Sequence, residues 1–177
     1  MEPITESIRV LYVDDEPEFA EMAATFLERE DDRFDVEIVP SGTEGSARLA
    51  DEAFDCVISD YEMPGRNGIE FLEAVRDDHP DLPFILHTGK GSEEVASDAI
   101  SAGVTDYIQK KGNADQYALL ANRILNAVDA RRSRRIAAER TRRLETLIDN
   151  LPGMVYRCRN EPEWPMETVR GEVEALT

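Results

Sequence analysis

The feature that most constrains the fold of this chain is a regular alternation between short apolar runs and amphipathic stretches. Five runs rich in aliphatic and aromatic residues are each followed by a stretch with apolar residues at helical spacing. The predicted strands are Ile8–Val13, Phe34–Val39, Phe54–Ser59, Leu82–His87 and Val104–Gln109. The predicted helices are Pro17–Arg29, Thr43–Ala50, Ile69–Arg76, Ser92–Ala102 and a long stretch from Ala114 onward.

Strands that alternate with helices favour right-handed crossovers and a parallel sheet that helices cover on both faces. A chain of 177 residues is long enough for one such domain and a smaller additional segment. Ligands of these sheets bind at the carboxyl ends of the strands. The residues that follow each predicted strand are therefore the first candidates for a functional site.

The charge of the chain is strongly acidic and unevenly distributed. There are 38 acidic residues against 20 Lys and Arg, which gives a net charge of −18. Residues 1–130 hold 30 acids and 10 bases, whereas residues 131–150 hold 3 acids and 7 bases. Because so acidic a body repels phosphate backbones, we expect residues 1–130 not to bind nucleic acid. Acid excess with 17 Arg and 3 Lys resembles proteins of salt-loving archaea, in which concentrated salt screens the self-repulsion.

Neither a membrane span nor a thiol-based site is predicted. No stretch approaches the roughly 18 consecutive apolar residues of a membrane helix, and the N-terminal sequence lacks the pattern of a secretion signal. The cysteines Cys56 and Cys158 form no CxxC or Cys/His cluster. This pattern argues against a disulfide framework or a zinc site, and it favours a reducing cytoplasm.

Acidic, hydroxyl and basic residues stand directly after four of the five predicted strands. Asp14 and Asp15 follow the first strand and Asp60 follows the third. Thr88 follows the fourth strand and Lys110 the fifth, so we expect all these side chains to share one edge of the sheet. Neighbouring carboxylates repel one another unless a cation intervenes, and oxygen ligands without thiol or imidazole favour Mg²⁺. A carboxylate nucleophile beside a metal ion, an ammonium and a hydroxyl suits phosphoryl transfer.

At these positions the sequence resembles the receiver domain of two-component response regulators. The similarity extends over roughly residues 7–130 and includes the segments VDDE, DYEMPG and DYIQK, which contain the acidic and basic residues named above. The resemblance implies a flavodoxin-like, doubly wound α/β fold with a five-stranded parallel sheet in the order 2-1-3-4-5 and a C-terminal helical extension. It also implies a signalling domain that is not itself an enzyme.

The resemblance further implies how the acidic residues act. Asp60 would accept a phosphoryl group from the phosphohistidine of a sensor kinase or a phosphotransfer protein. Asp15, Asp60 and the backbone carbonyl of Glu62 would hold Mg²⁺, and Asp14 would assist at the metal mainly through water.

The resemblance assigns the remaining site residues to phosphate binding and switching. Lys110 would contact the phosphoryl oxygens, Thr88 would move inward to hydrogen-bond the phosphoryl group, and Tyr107 would follow it. One position departs from the family pattern, because Lys111 stands where the family usually has proline. We assign Lys110 rather than Lys111 to phosphate binding, since Tyr107 stands three residues before Lys110 as the pattern requires.

Two other functions compete with this interpretation. The acidic cluster would also suit a Mg²⁺-binding interaction module that is never phosphorylated. An aspartate-nucleophile phosphatase uses similar groups, but its nucleophile follows the first strand in a DxD pattern, and this chain has DDE there.

The residues after the receiver-like part divide into two further segments. Residues 131–150 contain good helix formers and neither Gly nor Pro, which predicts that the last helix continues as a linker. The loose apolar seam of residues 114–150 fits a homodimeric coiled coil as well as a solvated basic helix. Residues 151–177, with a predicted strand at Met154–Cys158 and the segment PGMVYR, resemble the opening of a PAS sensor domain. We therefore divide the chain into a receiver domain (1–130), a linker helix (131–150) and an incomplete PAS start (151–177), as in haloarchaeal receiver–PAS signalling proteins.

Overall fold

A computed structural model of the protein describes residues 6–89, 91, 93–111 and 114–150, together with the backbone of two strands beyond them. The chain divides into two compact units, residues 1–131 and residues 132–177. In the described part of the chain, no helix is both long enough and apolar enough to cross a membrane.

Strands and helices alternate along the described residues of the first unit. The strands are β1 (Ile8–Val13), β2 (Phe34–Val39), β3 (Cys56–Ser59), β4 (Phe84–Thr88) and β5 (Asp106–Gln109). The helices are α1 (Pro17–Glu30), α2 (Gly42–Asp51), α3 (Gly68–Asp78), α4 (Glu93–Ser101) and α5 (Asp115–Asp149). The strands pair in parallel in the order β2-β1-β3-β4-β5, which confirms the predicted fold class.

The strands β3, β4 and β5 begin two residues later than the apolar pattern predicts. The residues at the predicted starts use their backbone groups in turns instead of in the sheet. The N–H of Leu82 donates to the carbonyl of His79, and the N–H of Val104 donates to the carbonyl of Ala99. The apolar pattern therefore indicates where side chains are removed from solvent, and these positions extend beyond the residues whose backbone pairs with a neighbouring strand. Ser92, the predicted start of the fourth helix, lies outside the described residues.

The sheet carries a separate apolar core on each face. Alternate residues of a strand point to opposite faces, so Tyr12 and Val13 of β1 belong to different cores. The core around Tyr12 includes residues of α1 and α5, and the core around Val13 includes residues of α2, α3 and α4. Strands buried on both faces are apolar throughout, which explains the continuous apolar runs of the sequence.

The start of α3 is fixed by its cap and by a close approach to β3. The Asn67 side chain accepts hydrogen bonds from the N–H groups of Ile69 and Glu70, and the Glu70 carboxylate accepts one from the N–H of Asn67. Gly68 follows the cap, and a Cβ at this position would lie 2.2 Å from the carbonyl oxygen of Asp60. Only glycine allows α3 to begin so close to Asp60.

The second unit contains the C-terminal part of α5 and two strands. The helix continues without interruption to Asp149, which confirms that residues 131–149 are helical. Its large apolar side chains Ile136, Leu144 and Leu147 are more than half exposed. The strand predicted at Met154–Cys158 is present as β6, and it pairs in antiparallel register with β7 (Met166–Gly171).

Candidate functional site

Three carboxylates meet at the carboxyl ends of β1 and β3. Asp14 and Asp15 follow β1, Asp60 follows β3, and one carboxylate oxygen of each lies within 4.8 Å of the other two. Asp14 is fully buried and Asp60 nearly so, whereas Asp15 reaches solvent. The N–H of Asp60 donates to the carbonyl of Val13 at 2.8 Å, so the sheet itself sets the spacing between the two strand ends.

Lys110 brings a positive charge to these carboxylates. Its Nζ lies 2.8 Å from Oδ2 of Asp14 and 3.3 Å from Oδ2 of Asp60. The backbone N–H of Lys110 donates to the carbonyl of Thr88 at 2.8 Å, which continues the pairing of β4 with β5 by one residue. The lysine is thus placed by the sheet and oriented by two buried carboxylates.

The two buried carboxylates share one pattern of hydrogen bonds. Oδ1 of Asp14 accepts from the N–H of Glu16 at 3.0 Å, and Oδ1 of Asp60 accepts from the N–H of Tyr61 at 2.7 Å. In each case the second oxygen faces the Lys110 ammonium. Burial raises the pKa of Asp14, and the hydrogen bond from Lys110 opposes this effect. Three carboxylates, two of which contact the Lys110 ammonium, form an acidic cluster in the described part of the chain, and such a cluster attracts a divalent cation.

The two predicted switch residues lie at different depths in the sheet. Thr88 is the last residue of β4 and is buried, next to the backbone of Lys110. Tyr107 lies opposite Leu86, two residues before Thr88 in the register of β4 and β5. Tyr107 is half-buried, and desolvation raises the pKa of its phenol. The structure therefore places Thr88 at the edge that carries the carboxylates and Tyr107 farther along the sheet.

Glu62 and Lys111 are close in the chain to Asp60 and Lys110. Glu62 stands two residues after Asp60 in the loop before α3, with an exposed side chain. Lys111 has an exposed side chain, and its backbone N–H donates to Oε1 of Gln116 at 2.7 Å. Of the two adjacent lysines, Lys110 is the one whose ammonium contacts the buried carboxylates.

Aromatic rings lie behind Lys110, and the sequence pattern did not predict their contact with it. Nζ of Lys110 lies 4.2 Å from the ring centroid of Phe19, which belongs to the first turn of α1. The ring of His87 lies 6.0 Å from that of Phe19, and Nδ1 of His87 is 2.9 Å from the hydroxyl of Tyr12. One signal was available, because Tyr12 and His87 are polar interruptions in otherwise aliphatic strands.

Comparisons with known proteins connect this geometry to a family. The family model of the response regulator receiver domain matches residues 10–122. The nitrogen assimilation regulatory protein NtrX of Azorhizobium caulinodans is 30% identical over 125 residues, which cover 70% of this chain and 27% of that protein. The bacterioopsin transcriptional activator of Halobacterium salinarum is 29% identical over 181 residues, which cover 97% of this chain and 26% of that protein.

Solved structures show the same relationship. A CheY-like response regulator receiver domain protein from Methanospirillum hungatei is 29% identical with a TM-score of 0.66, over 73% of this chain and 99% of that one. The chain spans only about a quarter of the length of the two curated relatives, so the similarity concerns one part of each. The family match covers more than half of the chain and contains all the residues of the acidic cluster. The chain belongs to the response regulator receiver domain family.

Proposed function

We propose that Asp60 is the phosphoacceptor of this receiver domain. The observation that carries the proposal is the position of its carboxylate, which contacts the Lys110 ammonium and lies within 4.8 Å of the carboxylates of Asp14 and Asp15. A carboxylate oxygen of Asp60 attacks the phosphorus of a phosphohistidine on a sensor kinase or phosphotransfer protein. The P–N bond breaks, the imidazole keeps the electron pair, and an acyl phosphate forms on Asp60.

The donor set of the cluster fits Mg²⁺. Three carboxylates converge without thiol or imidazole, which is the ligand chemistry of a hard divalent cation. Asp14, Asp15 and Asp60, with the backbone carbonyl of Glu62, would hold the ion, and Asp14 would act mainly through water. The ion would neutralise charge on the phosphoryl oxygens, and Lys110 would contact the same oxygens as a second cation.

We further propose that phosphorylation shifts the population between two conformations of the face formed by α4 and β5. The Thr88 hydroxyl would donate to a phosphoryl oxygen, and the half-buried Tyr107 would move inward after it. The signal would then pass to α5, which follows β5 in the chain and continues to Asp149.

We also propose a division of the chain into three segments. We assign residues 1–130 to the receiver domain, residues 131–150 to a linker helix and residues 151–177 to the start of a PAS domain. The similarity to the bacterioopsin transcriptional activator over 97% of the chain supports a shared arrangement. The exposed apolar side chains of the linker support a homodimer through residues 114–150. The net charge of −18 supports a salt-loving source organism and a receiver domain that does not bind nucleic acid through residues 1–130, and the cysteine pattern supports a cytoplasmic protein.

The test is phosphorylation by a small phosphodonor such as phosphoramidate in the presence of Mg²⁺, followed by a phosphate-affinity gel shift. The wild type is expected to shift and Asp60→Asn is not. Asp81→Asn, which changes an exposed acid before β4, is the matched control and is expected to shift like the wild type. Equal labelling of the wild type and Asp60→Asn would contradict the proposal.

The same samples separate the alternatives. Binding of Mg²⁺, followed by Trp164 or Tyr fluorescence, without any labelling would favour an interaction module that is not phosphorylated. Steady release of phosphate from added phosphate esters would favour an aspartate-nucleophile phosphatase. For the proposed receiver domain we expect Mg²⁺ binding, labelling of Asp60 and no turnover of external esters.

A further inference from the structure

Lys110 has an aromatic partner in addition to its two carboxylates. Its ammonium nitrogen lies 4.2 Å from the ring centroid of Phe19, and its side chain is 13% exposed. An ammonium over an aromatic face is attracted by the ring quadrupole, and the attraction grows as water is excluded. Phe19 therefore restricts the position of this ammonium in a way that does not depend on the charge of the carboxylates.

The ring of Phe19 is supported from the core. His87 of β4 is fully buried, and its ring lies 6.0 Å from that of Phe19 at an angle of 48°. Nδ1 of His87 lies 2.9 Å from the hydroxyl of Tyr12, a fully buried residue of β1. Three rings from α1, β1 and β4 thus pack in succession behind Lys110, and Phe19 packs as a partly buried residue against the core that contains Tyr12.

A hydrogen bond fixes the backbone next to Lys110. The N–H of Lys111 donates to Oε1 of Gln116 at 2.7 Å, and Gln116 is buried at the start of α5. Proline, which the family pattern has at position 111, has no N–H to donate. This hydrogen bond requires a residue other than proline at position 111, and it joins the residue after Lys110 to a helix that packs on the sheet.

We propose that Phe19 and Gln116 are positioning residues for Lys110. The ring of Phe19 holds the ammonium, and the side-chain carbonyl of Gln116 holds the backbone of the following residue. The inference rests on the proposed function, in which Lys110 contacts a phosphoryl group. When the charge of Asp14 and Asp60 is neutralised, the ion pairs of Lys110 weaken, whereas both of these contacts persist. These two contacts keep the ammonium at the site while the phosphoryl group is transferred to Asp60.

The first test reads the position of Lys110 by NMR in protein without Mg²⁺ or phosphodonor. The ring current of Phe19 is expected to move the ε-methylene proton signals of Lys110 upfield. Phe19→Leu removes this displacement and Phe19→Tyr retains it. Phe26→Leu is the matched control, because Phe26 lies on the same helix but stacks on Tyr117 with ring centroids 4.8 Å apart. Lys110 signals that are the same in the wild type and in Phe19→Leu would overturn the role of Phe19.

The second test compares rates of Asp60 phosphorylation by phosphoramidate. Loss of a contact of this strength lowers the rate about threefold to tenfold in Phe19→Leu. Phe19→Tyr and Phe26→Leu are expected to react at the wild-type rate. A normal rate in Phe19→Leu would overturn the proposal.

The positioning role of Gln116, which is the second arm of the proposal, is tested by amide hydrogen exchange. Gln116→Leu is expected to speed exchange of the Lys111 amide and to slow phosphorylation, while Gln116→Glu keeps an acceptor oxygen and retains protection. Unchanged exchange in Gln116→Leu would overturn this arm. Failure of the proposed function has a different signature: the wild type would take no phosphoryl group, while the Lys110 signals and the Lys111 exchange would still report the positioning contacts.

Discussion

Nζ of Lys110 lies 2.8 Å from Oδ2 of Asp14, although 96 positions separate the two residues in the chain. Asp14 follows β1 and Lys110 follows β5, and the strands β3 and β4 lie between them in the sheet. The ion pair therefore forms only when β1, β3, β4 and β5 are all in place. Because the Asp14 carboxylate is fully buried, the pair also links the site to the stability of the fold.

Replacing Lys110 by methionine is expected to destabilise the protein in Mg²⁺-free buffer at neutral pH. The change leaves the buried carboxylate of Asp14 without its cation, and breaking a buried pair in this way costs about 3 kcal/mol of unfolding free energy. Urea unfolding of the wild type and the variant measures the difference. Lys111→Met removes an exposed ammonium and is expected to change stability by less than about 0.5 kcal/mol. Equal losses in the two variants would contradict the assignment.

Replacing Gly68 by alanine is expected to disturb Asp60 directly. The new Cβ would lie 2.2 Å from the carbonyl oxygen of Asp60 and 2.9 Å from Cδ1 of Leu86, so the start of α3 must move. Overpacking of this kind costs about 1–3 kcal/mol of unfolding free energy, and labelling of Asp60 should fall with it. Gly89→Ala is the control, since a Cβ there would have no atom of the described residues within 4 Å apart from those of its chain neighbours. Wild-type stability of Gly68→Ala, measured by urea unfolding, would rule out the close approach.

The contribution of His87 to the stability of the protein is expected to rise with pH. Burial, with a contribution from the nearby Lys110 ammonium, lowers the pKa of His87 from 6.5 to about 4 in the folded protein. Between these two values the imidazole of residue 87 binds more protons in the unfolded chain than in the folded protein. The contribution of His87 to the free energy of unfolding therefore rises with pH across this window and is fully present above 6.5. The contribution lost on acidification is at most about 3 kcal/mol.

Urea unfolding across this pH range in the wild type and His87→Gln isolates the effect, because the variant lacks the titrating ring. The free energy of unfolding should rise more steeply with pH in the wild type than in His87→Gln. Identical slopes in the two proteins would show that His87 is not buried as a neutral ring.

Much of the fold follows from the pattern of the sequence. The alternation of strands and helices predicts which residues follow a strand, and parallel pairing brings Asp14, Asp60 and Lys110 to one edge of the sheet. The strand order itself came from the family resemblance, because the apolar pattern does not say which strands are neighbours. The starts of three strands were predicted too early, since a residue such as Leu82 is buried without pairing.

The contacts of the rings behind Lys110 could not be predicted from the pattern of the sequence. The contact of Phe19 with the ammonium depends on the direction in which α1 leaves β1, and local spacing does not determine that direction. The hydrogen bond between Tyr12 and His87 crosses from β1 to β4 past an intervening strand, so it requires the completed sheet. The N-terminal cap of α3 differs from these contacts, because its hydrogen bonds join Asn67 only to residues that are near it in the sequence.

Salt is expected to stabilise the protein. With a net charge of −18, the excess negative charges of the protein repel one another. The Debye length falls from about 10 Å at 0.1 M salt to about 3 Å at 1 M, so added salt screens this repulsion. The midpoint of thermal unfolding should therefore rise with KCl concentration over this range. A double variant, Glu73→Gln with Asp77→Asn, removes two exposed like charges one turn apart on α3 and should show a smaller rise. A midpoint that falls with salt in the wild type would contradict this account.

The measurement that tests the central claim most directly is peptide mapping by mass spectrometry after reaction with phosphoramidate. With Mg²⁺ present, the wild type is predicted to carry one phosphoryl group on the peptide that contains Asp60, and chelation of Mg²⁺ is predicted to abolish it. A phosphoryl group on any other residue, or on Asp60 at an equal level without Mg²⁺, would contradict the account.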